Sequence, residues 1–92
     1  MKEKLIEQYL RDEIKKVGGK AYKFTSPGNS GVPDRLILLP GGRVFFIESK
    51  ATGKASTPLQ KRQQKLISDL GFYVAVIDSK EGVDAFMSMV KR

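Results

Sequence analysis

Apolar residues recur every three or four positions in three stretches of the chain, which is the spacing of one face of an α-helix. The first stretch spans residues 2–17 and ends at the pair Gly18-Gly19. The second begins at Thr57, a residue type that caps helices, has proline in its first turn and runs to Leu70. The third begins at Lys80. The apolar positions of the three predicted helices are Ile6, Leu10, Ile14 and Val17; Leu59, Leu66, Ile67 and Leu70; and Val83, Phe86, Met87 and Val90.

Four shorter stretches have the apolar composition or the alternation that is typical of β-strands. Pro40-Gly41-Gly42 separates the second stretch from the third, which predicts a hairpin at the centre of the sheet with both of its faces buried. The fourth stretch is also predicted to be buried. The predicted strands are residues 21–24, 35–39, 44–47 and 73–77.

The order of the predicted elements is α-β-β-β-α-β-α. This order predicts an α/β fold with a mixed sheet flanked by helices, in which the helix before the last strand gives that strand a parallel partner. Ninety-two residues are enough for one hydrophobic core but too few for two. We therefore expect a single domain over residues 1–92.

The composition narrows the chemistry that is open to the chain. It contains no cysteine and no histidine, which excludes thiolate and imidazole zinc sites and every nucleophile that a histidine activates. Any catalytic site must use carboxylates, lysines, hydroxyls or a hard metal ion held by oxygen ligands.

The charge of the chain favours a polyanionic partner. Seventeen Lys and Arg against ten Asp and Glu give a formal net charge of +7, which favours nucleic acid as the partner through phosphate contacts. No apolar stretch of signal-peptide length follows Met1-Lys2-Glu3-Lys4, and no segment approaches the length of a membrane span. The sequence predicts an intracellular protein that does not enter a membrane.

Two acids and a lysine flank the predicted hairpin. If its turn is centred on Gly41, residues whose numbers add up to 82 face each other, so Asp34 faces Glu48. Glu48 and Lys50 are two residues apart and project from the same face of a strand. Two facing carboxylates repel unless a cation lies between them, and oxygen ligands alone favour Mg²⁺ or Mn²⁺. With Lys50 contacting a phosphate oxygen or the attacking water, the arrangement predicts phosphodiester hydrolysis.

A simpler interpretation of the same residues is structural. Glu48 and Lys50 would then form a surface pair worth less than about 1 kcal/mol. The protein would be a non-catalytic nucleic-acid-binding module that acts through its basic surface. A subunit-interface protein, such as a small ribosomal component, is a third possibility, but it has no use for facing carboxylates.

The motif itself resembles a nuclease superfamily. Pro33-Asp34, thirteen further residues and Glu48-Ser49-Lys50 resemble the PD-(D/E)xK nucleases. Gly31-Val32-Pro33-Asp34-Arg35 and Ile47-Glu48-Ser49-Lys50-Ala51 resemble their virus-type replication-repair nuclease branch (VRR-NUC). The likeness covers nearly the whole chain. It implies a restriction-endonuclease-like fold and divalent-metal-dependent hydrolysis of DNA.

The resemblance also implies roles for individual residues. Asp34 and Glu48 match the metal-binding acids, Lys50 matches the catalytic lysine, and the backbone carbonyl of Ser49 would be a further metal ligand. Glu7 matches an acid of the N-terminal helix that completes the metal site.

Two of the helical candidates have alternatives. Glu3 lies one turn before Glu7 near the same side of the helix, and either could reach the site, or both could simply complement the positive end of the helix dipole. Gln60, on the first turn of the second predicted helix, could orient a water or a metal ligand, and the family match places a glutamine there. It could also be a solvated surface residue.

Contacts to the DNA backbone are expected from the turn-forming run at 26–31 and from nearby basic residues, because glycines there let main-chain amides approach phosphates. The candidates are Lys23, Ser26, Gly28, Asn29, Ser30, Arg35, Lys54, Lys61 and Arg62.

The resemblance finally implies an assembly and a cellular setting. Stand-alone members of about this length are associated with bacteriophage genomes and are similar to homodimeric Holliday-junction resolvases. This implies a homodimeric endonuclease for branched DNA in the cytoplasm of a bacterial or phage-infected cell. A surplus of apolar residues beyond one small core, which also favours a dimer interface, is formed by Leu5, Tyr9, Met87 and Met89.

Overall fold

A computed structural model describes residues 1–91 of the chain and confirms the predicted order of elements. Every predicted boundary lies within two residues of the observed one. The elements are α1 (Glu3–Lys16), β1 (Lys20–Lys23), β2 (Arg35–Leu39), β3 (Arg43–Ser49), α2 (Pro58–Asp69), β4 (Tyr73–Ile77) and α3 (Lys80–Val90).

The four strands form one mixed sheet in the order β1-β2-β3-β4. β1, β2 and β3 are successively antiparallel, and β4 is parallel to β3 because α2 connects the two. The β2–β3 hairpin is at the centre of the sheet, as predicted. Its register runs from Arg35 opposite Ile47 to Leu39 opposite Arg43, so the facing residues have the predicted sum of 82.

The hydrophobic core lies between one face of the sheet and the helices α1 and α3. Odd-numbered residues of β2 and β3 point to this face, because successive side chains of a strand alternate. Phe45 extends the core through edge-to-face contacts with Tyr73 and Phe86. The buried apolar residues are Ile6, Leu10, Ile14, Ile37, Leu39, Ile47, Ile77, Val83, Phe86, Met87 and Val90.

The opposite face of the sheet is only partly covered, and here the predicted burial is wrong. Leu38 of the central hairpin is 36% exposed and Val76 of β4 is 43% exposed on this face. β4 is an edge strand rather than a buried one, and Tyr73 on its core face is also exposed. The only helix on the partly covered face among the described residues is α2, which is too short to cover four strands. α2 itself has no buried residue. Its leucines Leu59, Leu66 and Leu70 are 57%, 49% and 76% exposed.

None of the helices in residues 1–91 has the length and apolar character that crossing a membrane requires.

Candidate active site

Four chain segments meet at one end of the sheet. They are the first turns of α1, the residue before β2, the end of β3 and the first turn of α2. Glu3, Glu7 and Asp34 each place a carboxylate oxygen within 4.8 Å of the other two. The hairpin and the two helix starts therefore bring together acids that are up to 31 residues apart in sequence, the separation of Glu3 and Asp34.

Asp34 lies beside the end of β3, although the predicted pairing of Asp34 with Glu48 is not part of the observed ladder. The β2–β3 ladder ends at Arg35, and Asp34 lies just beyond it. Instead of a further ladder bond, the Asp34 carboxylate accepts a hydrogen bond from the backbone N–H of Ser49 at 2.9 Å. Its own carbonyl accepts one from the N–H of Phe24 at 2.7 Å. These two bonds hold Asp34 beside the end of β3.

Glu48 and Lys50 project from the end of β3 on the α2 side. The Nζ of Lys50 lies 3.9 Å from the Oε2 of Glu48, and both side chains are largely removed from solvent. The same carboxylate oxygen accepts a hydrogen bond from the Nε2 of Gln60 at 3.3 Å. The structural interpretation expected an exposed ion pair that contributes little. Here both side chains are largely buried, so their desolvation and their mutual attraction are larger than at the surface.

Gln60 is fixed in orientation by the start of α2. Its Oε1 accepts a hydrogen bond from the N–H of Thr57 at 2.9 Å, and its own N–H donates to the Thr57 hydroxyl at 3.2 Å. This is a capping box, in which two otherwise unpaired backbone donors are satisfied reciprocally. With the amide oxygen so engaged, the amide nitrogen is directed at Glu48. Gln60 thus links the helix cap to the site.

The cations beside the acids, Lys50 at Glu48 and Arg35 at Glu7, do not offset the burial of Asp34 and Glu48. Loss of hydration on burial raises the pKa of Asp34 from 3.8 to about 8; a hydrogen bond with Glu7 and the charge of Glu48 act in the same direction, and the N–H of Ser49 opposes them. Burial also raises the pKa of Glu48, against the attraction of Lys50. Oxygen ligands gathered at such cost fit a hard divalent cation, which would neutralise them.

Arg35 is not at the surface, contrary to its predicted role in contacting the DNA backbone. It is 8% exposed, because as an odd-numbered residue of β2 it points to the face under α1. Its guanidinium lies 3.5 Å from the Oε1 of Glu7 and 3.5 Å from the carbonyl of Ala21. Arg35 therefore holds Glu7 in place from the sheet. The alternation with Ile37 and Leu39 was the sequence signal for this.

Comparisons with known proteins agree with this geometry. The chain matches no protein-family sequence model. It is 48% identical over 81 residues to a protein described as "Putative nuclease p44" of Acyrthosiphon pisum secondary endosymbiont phage 1, covering 88% of this chain and 87% of that protein. A solved structure described as "VRR_NUC domain" superimposes with a TM-score of 0.88 and 30% identity over 94% of both chains. The chain belongs to the VRR-NUC nuclease family.

The loop before Asp34 in this VRR-NUC domain packs closely on α2. Gly31 has a positive φ of 90°, and a Cβ placed on it would lie 2.8 Å from the carbonyl carbon and oxygen of Leu59 and 2.9 Å from the backbone nitrogen of Gln60. Only glycine allows this approach. This role of Gly31 was not predicted, although the glycine belongs to the motif that carries the family resemblance.

The same loop forms a surface groove of the VRR-NUC domain beside the site. Asn29 closes a turn on Ser26 through both its backbone N–H and its side-chain amide. A groove of about 400 Å³ separates this turn from α2, and it is lined by Gly28, Asn29, Ser30, Leu59, Arg62, Gln63 and Leu66. The remaining candidates for backbone contacts, which are Lys23, Lys54 and Lys61, are exposed.

Two of the residues proposed for a dimer interface belong to the core of the VRR-NUC domain itself. Met87 is buried between α3 and the sheet. Tyr9 packs against the core and donates a hydrogen bond to Asp84, which joins α1 to α3. Leu5 and Met89 are exposed, at 54% and 37%. Of the four apolar residues that the sequence suggested for a dimer interface, only Leu5 and Met89 are therefore at the surface.

Proposed function

We propose that this VRR-NUC nuclease is a divalent-metal-dependent DNA endonuclease. The observation that carries the proposal is the convergence of Glu3, Glu7 and Asp34 within 4.8 Å of one another, beside the Glu48–Lys50 pair. Three acids at this spacing, with Asp34 partly desolvated, are costly in a protein that does not bind a cation. An acid cluster with one lysine at its edge is suited to hydrolysis of a phosphodiester.

The ion is proposed to be Mg²⁺ or Mn²⁺, with Glu7, Asp34, Glu48 and the carbonyl of Ser49 as its ligands. Two features favour Glu7 over Glu3 as the helical ligand. Glu7 is half-buried and held by Arg35, whereas Glu3 is exposed on the first turn of α1. When bound, such an ion supplies positive charge to the phosphate and promotes ionisation of water.

Lys50 and Gln60 have the two further roles in the site, contact with the substrate and positioning of Glu48. The ammonium of Lys50 is held beside Glu48 and is placed to contact a phosphate oxygen or to position the attacking water. Gln60 is a positioning residue, since it acts on the reaction by fixing the Glu48 carboxylate. DNA reaches the site over the loop at 26–30 and the exposed side chains of Lys23, Lys54 and Lys61.

Branched DNA, such as a four-way junction, is the proposed substrate, and the proposed active form is a homodimer. Leu59, Leu66 and Leu70 fall within about 40° of one another around α2, given 100° per residue, and form an exposed leucine stripe. No side chain of residues 1–91 buries this stripe. A second copy of the chain presents the same apolar surface, which makes a self-complementary contact possible. Two sites in one dimer suit a substrate in which two strands must be cut.

Cleavage assays test the nuclease proposal directly. We expect labelled four-way junctions to be cut with Mg²⁺ or Mn²⁺, to be cut faster than linear duplex, and to remain intact in EDTA, as read on a denaturing gel. Lys50→Gln is expected to lower the cleavage rate about a hundredfold, because it removes one positioned donor to developing negative charge.

Lys65→Gln is the matched control, because Lys65 is exposed and pairs with Asp69 on the outside of α2. Salt-dependent binding without strand scission under every metal condition would favour the non-catalytic binding module instead.

The dimer proposal makes a separate prediction. The double substitution Leu66→Glu and Leu70→Glu is expected to convert the protein to a monomer in sedimentation or light-scattering measurements. It should leave the fold intact, because neither side chain is buried. Leu5→Glu, at an exposed leucine of α1, is the control and should leave the dimer unchanged. Dissociation by Leu5→Glu but not by the double variant would place the interface on α1 instead.

A further inference from the structure

A basic groove lies between α1 and β1, outside the cluster of acids. It has a volume of about 240 Å³ and is lined by Arg11, Lys15, Gly19, Lys20 and Ala21. None of these residues belongs to the metal site or to the loop at 26–31. The groove is open to solvent along the edge of the sheet, since β1 is the edge strand.

The positive charge of the groove is not neutralised by the protein. Arg11, Lys15 and Lys20 are exposed, and none of them takes part in an ion pair with residues 1–91. Other lysines of the molecule do have such partners, for example Lys16, whose ammonium lies 2.6 Å from Glu13. Lys20 is held over the ring of Tyr22, with 5.7 Å between Nζ and the ring centroid. Arg11 and Lys15, with Lys20 at the outer edge of the groove, are cations without acidic partners and are suited to an anionic ligand of extended shape.

The groove continues from the active site along α1. Glu7, Arg11 and Lys15 follow one another at four-residue intervals, each directly after a buried residue of the helix, and so lie along one side of it. Each interval corresponds to an axial rise of about 6 Å. Arg35 marks the junction, because its guanidinium contacts Glu7 and the carbonyl of Ala21, which lines the groove.

β1 also leads away from the active site, alongside α1. Lys23 lies opposite Arg35 at the active-site end of β2, and Lys20 lies opposite Leu38, three residues further away. The distance between the two lysines along the strand is about 10 Å. The helix wall of the groove therefore carries Arg11 and Lys15, and the strand wall carries Lys23 on the face under α1. Lys20 borders the groove at its outer end, and its side chain lies over Tyr22 on the other face of the strand.

We propose that the groove binds the phosphodiester backbone of the DNA segment that leaves the active site. The proposal rests on the function proposed above and adds the path of the substrate. Lys15 lies about 12 Å along the helix axis from Glu7, and one strand of duplex DNA advances about 3.4 Å for each base pair. The groove thus receives phosphates three to four base pairs from the one that is cut. Contacts at this distance give no sequence preference, but they fix the direction in which the DNA lies across the site.

The test is the salt dependence of DNA binding, measured in EDTA so that no cleavage occurs. The triple variant Arg11→Gln, Lys15→Gln, Lys20→Gln is expected to weaken the salt dependence. The slope of log affinity against log salt should become less steep by about 2 to 3, since each lost phosphate contact contributes about 0.9. Affinity for a four-way junction is expected to fall about tenfold or more at moderate salt. Thermal unfolding should be unchanged, because the three side chains are exposed.

A matched variant removes the same charge from other surfaces. Lys16→Gln, Lys65→Gln, Lys91→Gln also lowers the net charge by three, and all three residues are exposed. It is expected to change the slope by less than 1. Equal slopes for the two triple variants would overturn the groove as a binding site and would show that only the overall charge matters.

Neutral methylphosphonate linkages locate the contact on the DNA. Placed three to four base pairs from the mapped cut, they are expected to weaken binding of the wild-type protein but not of the groove variant. Weakening of both to the same extent would overturn the proposal. The nuclease proposal is judged independently, by whether the wild-type protein cuts DNA with metal: wild-type cleavage together with a groove variant that binds like the matched control would leave the nuclease standing and remove the groove.

Discussion

Replacing Asp34 with asparagine is expected to lower the rate of DNA cleavage about a thousandfold, which corresponds to about 4 kcal/mol of transition-state stabilisation. The Asp34→Asn side chain would retain its shape and one oxygen for the N–H of Ser49, but it would lose the negative charge that a metal ligand needs. Single-turnover cleavage of a junction substrate measures the rate. Thermal unfolding with and without Mn²⁺ measures metal binding, and the stabilisation by Mn²⁺ should disappear.

Without metal, the folding stability of the Asp34→Asn variant should differ from that of the wild type mainly in its dependence on pH. The pKa of Asp34 is raised to about 8 in the folded state, against 3.8 without the fold. Its contribution to stability is therefore present at low pH and is lost as the pH rises towards and through 8. The asparagine of the variant cannot ionise, so the variant should lose less stability than the wild type over this range. Asp69→Asn, on the exposed end of α2, is the control. Full activity of the Asp34→Asn variant would refute the proposed metal site.

The second large effect is expected at Gly31, which contacts no substrate atom in our proposal. Gly31→Ala places a methyl group 2.8 Å from the backbone of Leu59 at a positive φ, so α2 must move or the loop must detach. We expect a loss of about 2–4 kcal/mol in the free energy of unfolding, from the strained φ and the overpacking together. Cleavage should fall further than stability alone explains, because Gln60 lies on the turn that is displaced.

Urea unfolding and cleavage under conditions where the variant is fully folded separate the two effects. Gly41→Ala is the matched control, since Gly41 has a similar positive φ of 87° but nothing within 4 Å of an added Cβ. It should show the cost of the backbone conformation alone, about 1–2 kcal/mol, and normal cleavage. An equal loss of stability at both glycines would mean that the contact between the loop and α2 is not specific.

The element order and the hairpin register could be predicted because they depend on local signals. Glycines and prolines mark the turns, and a turn centred on Gly41 sets the pairing of every residue on either side. The acids Asp34 and Glu48 were accessible to prediction for the same reason. Gln60 was accessible because Thr57 and Pro58 mark the start of α2, which places Gln60 on its first turn, where the family match also has a glutamine.

Burial could not be predicted to the same extent, because it depends on which helix covers which face. An apolar stripe on α2 has the same pattern whether the core or a second molecule covers it. Arg35 was assigned to the surface because arginine is mostly exposed. Its partner Glu7 is 28 residues earlier in the chain, and only the docking of α1 brings the two together. The basic groove could not be predicted for the same reason, because its two walls, α1 and β1, come together only when α1 docks on the sheet.

The tip of the β2–β3 hairpin has a consequence for how this family can change over evolution. Exposed loop tips commonly tolerate insertions, and this tip lies beyond the last ladder pair, which is itself about 17 Å from Asp34 at about 3.4 Å for each pair. A single residue inserted into the ladder itself would shift the pairing by one and turn Glu48 to the wrong side relative to Asp34. We therefore expect natural hairpins of other lengths to differ in the loop at the tip, or to absorb an odd residue of the strands in a β-bulge. The strands of the hairpin are thus constrained in length by the position of the carboxylates, although only their ends take part in the chemistry.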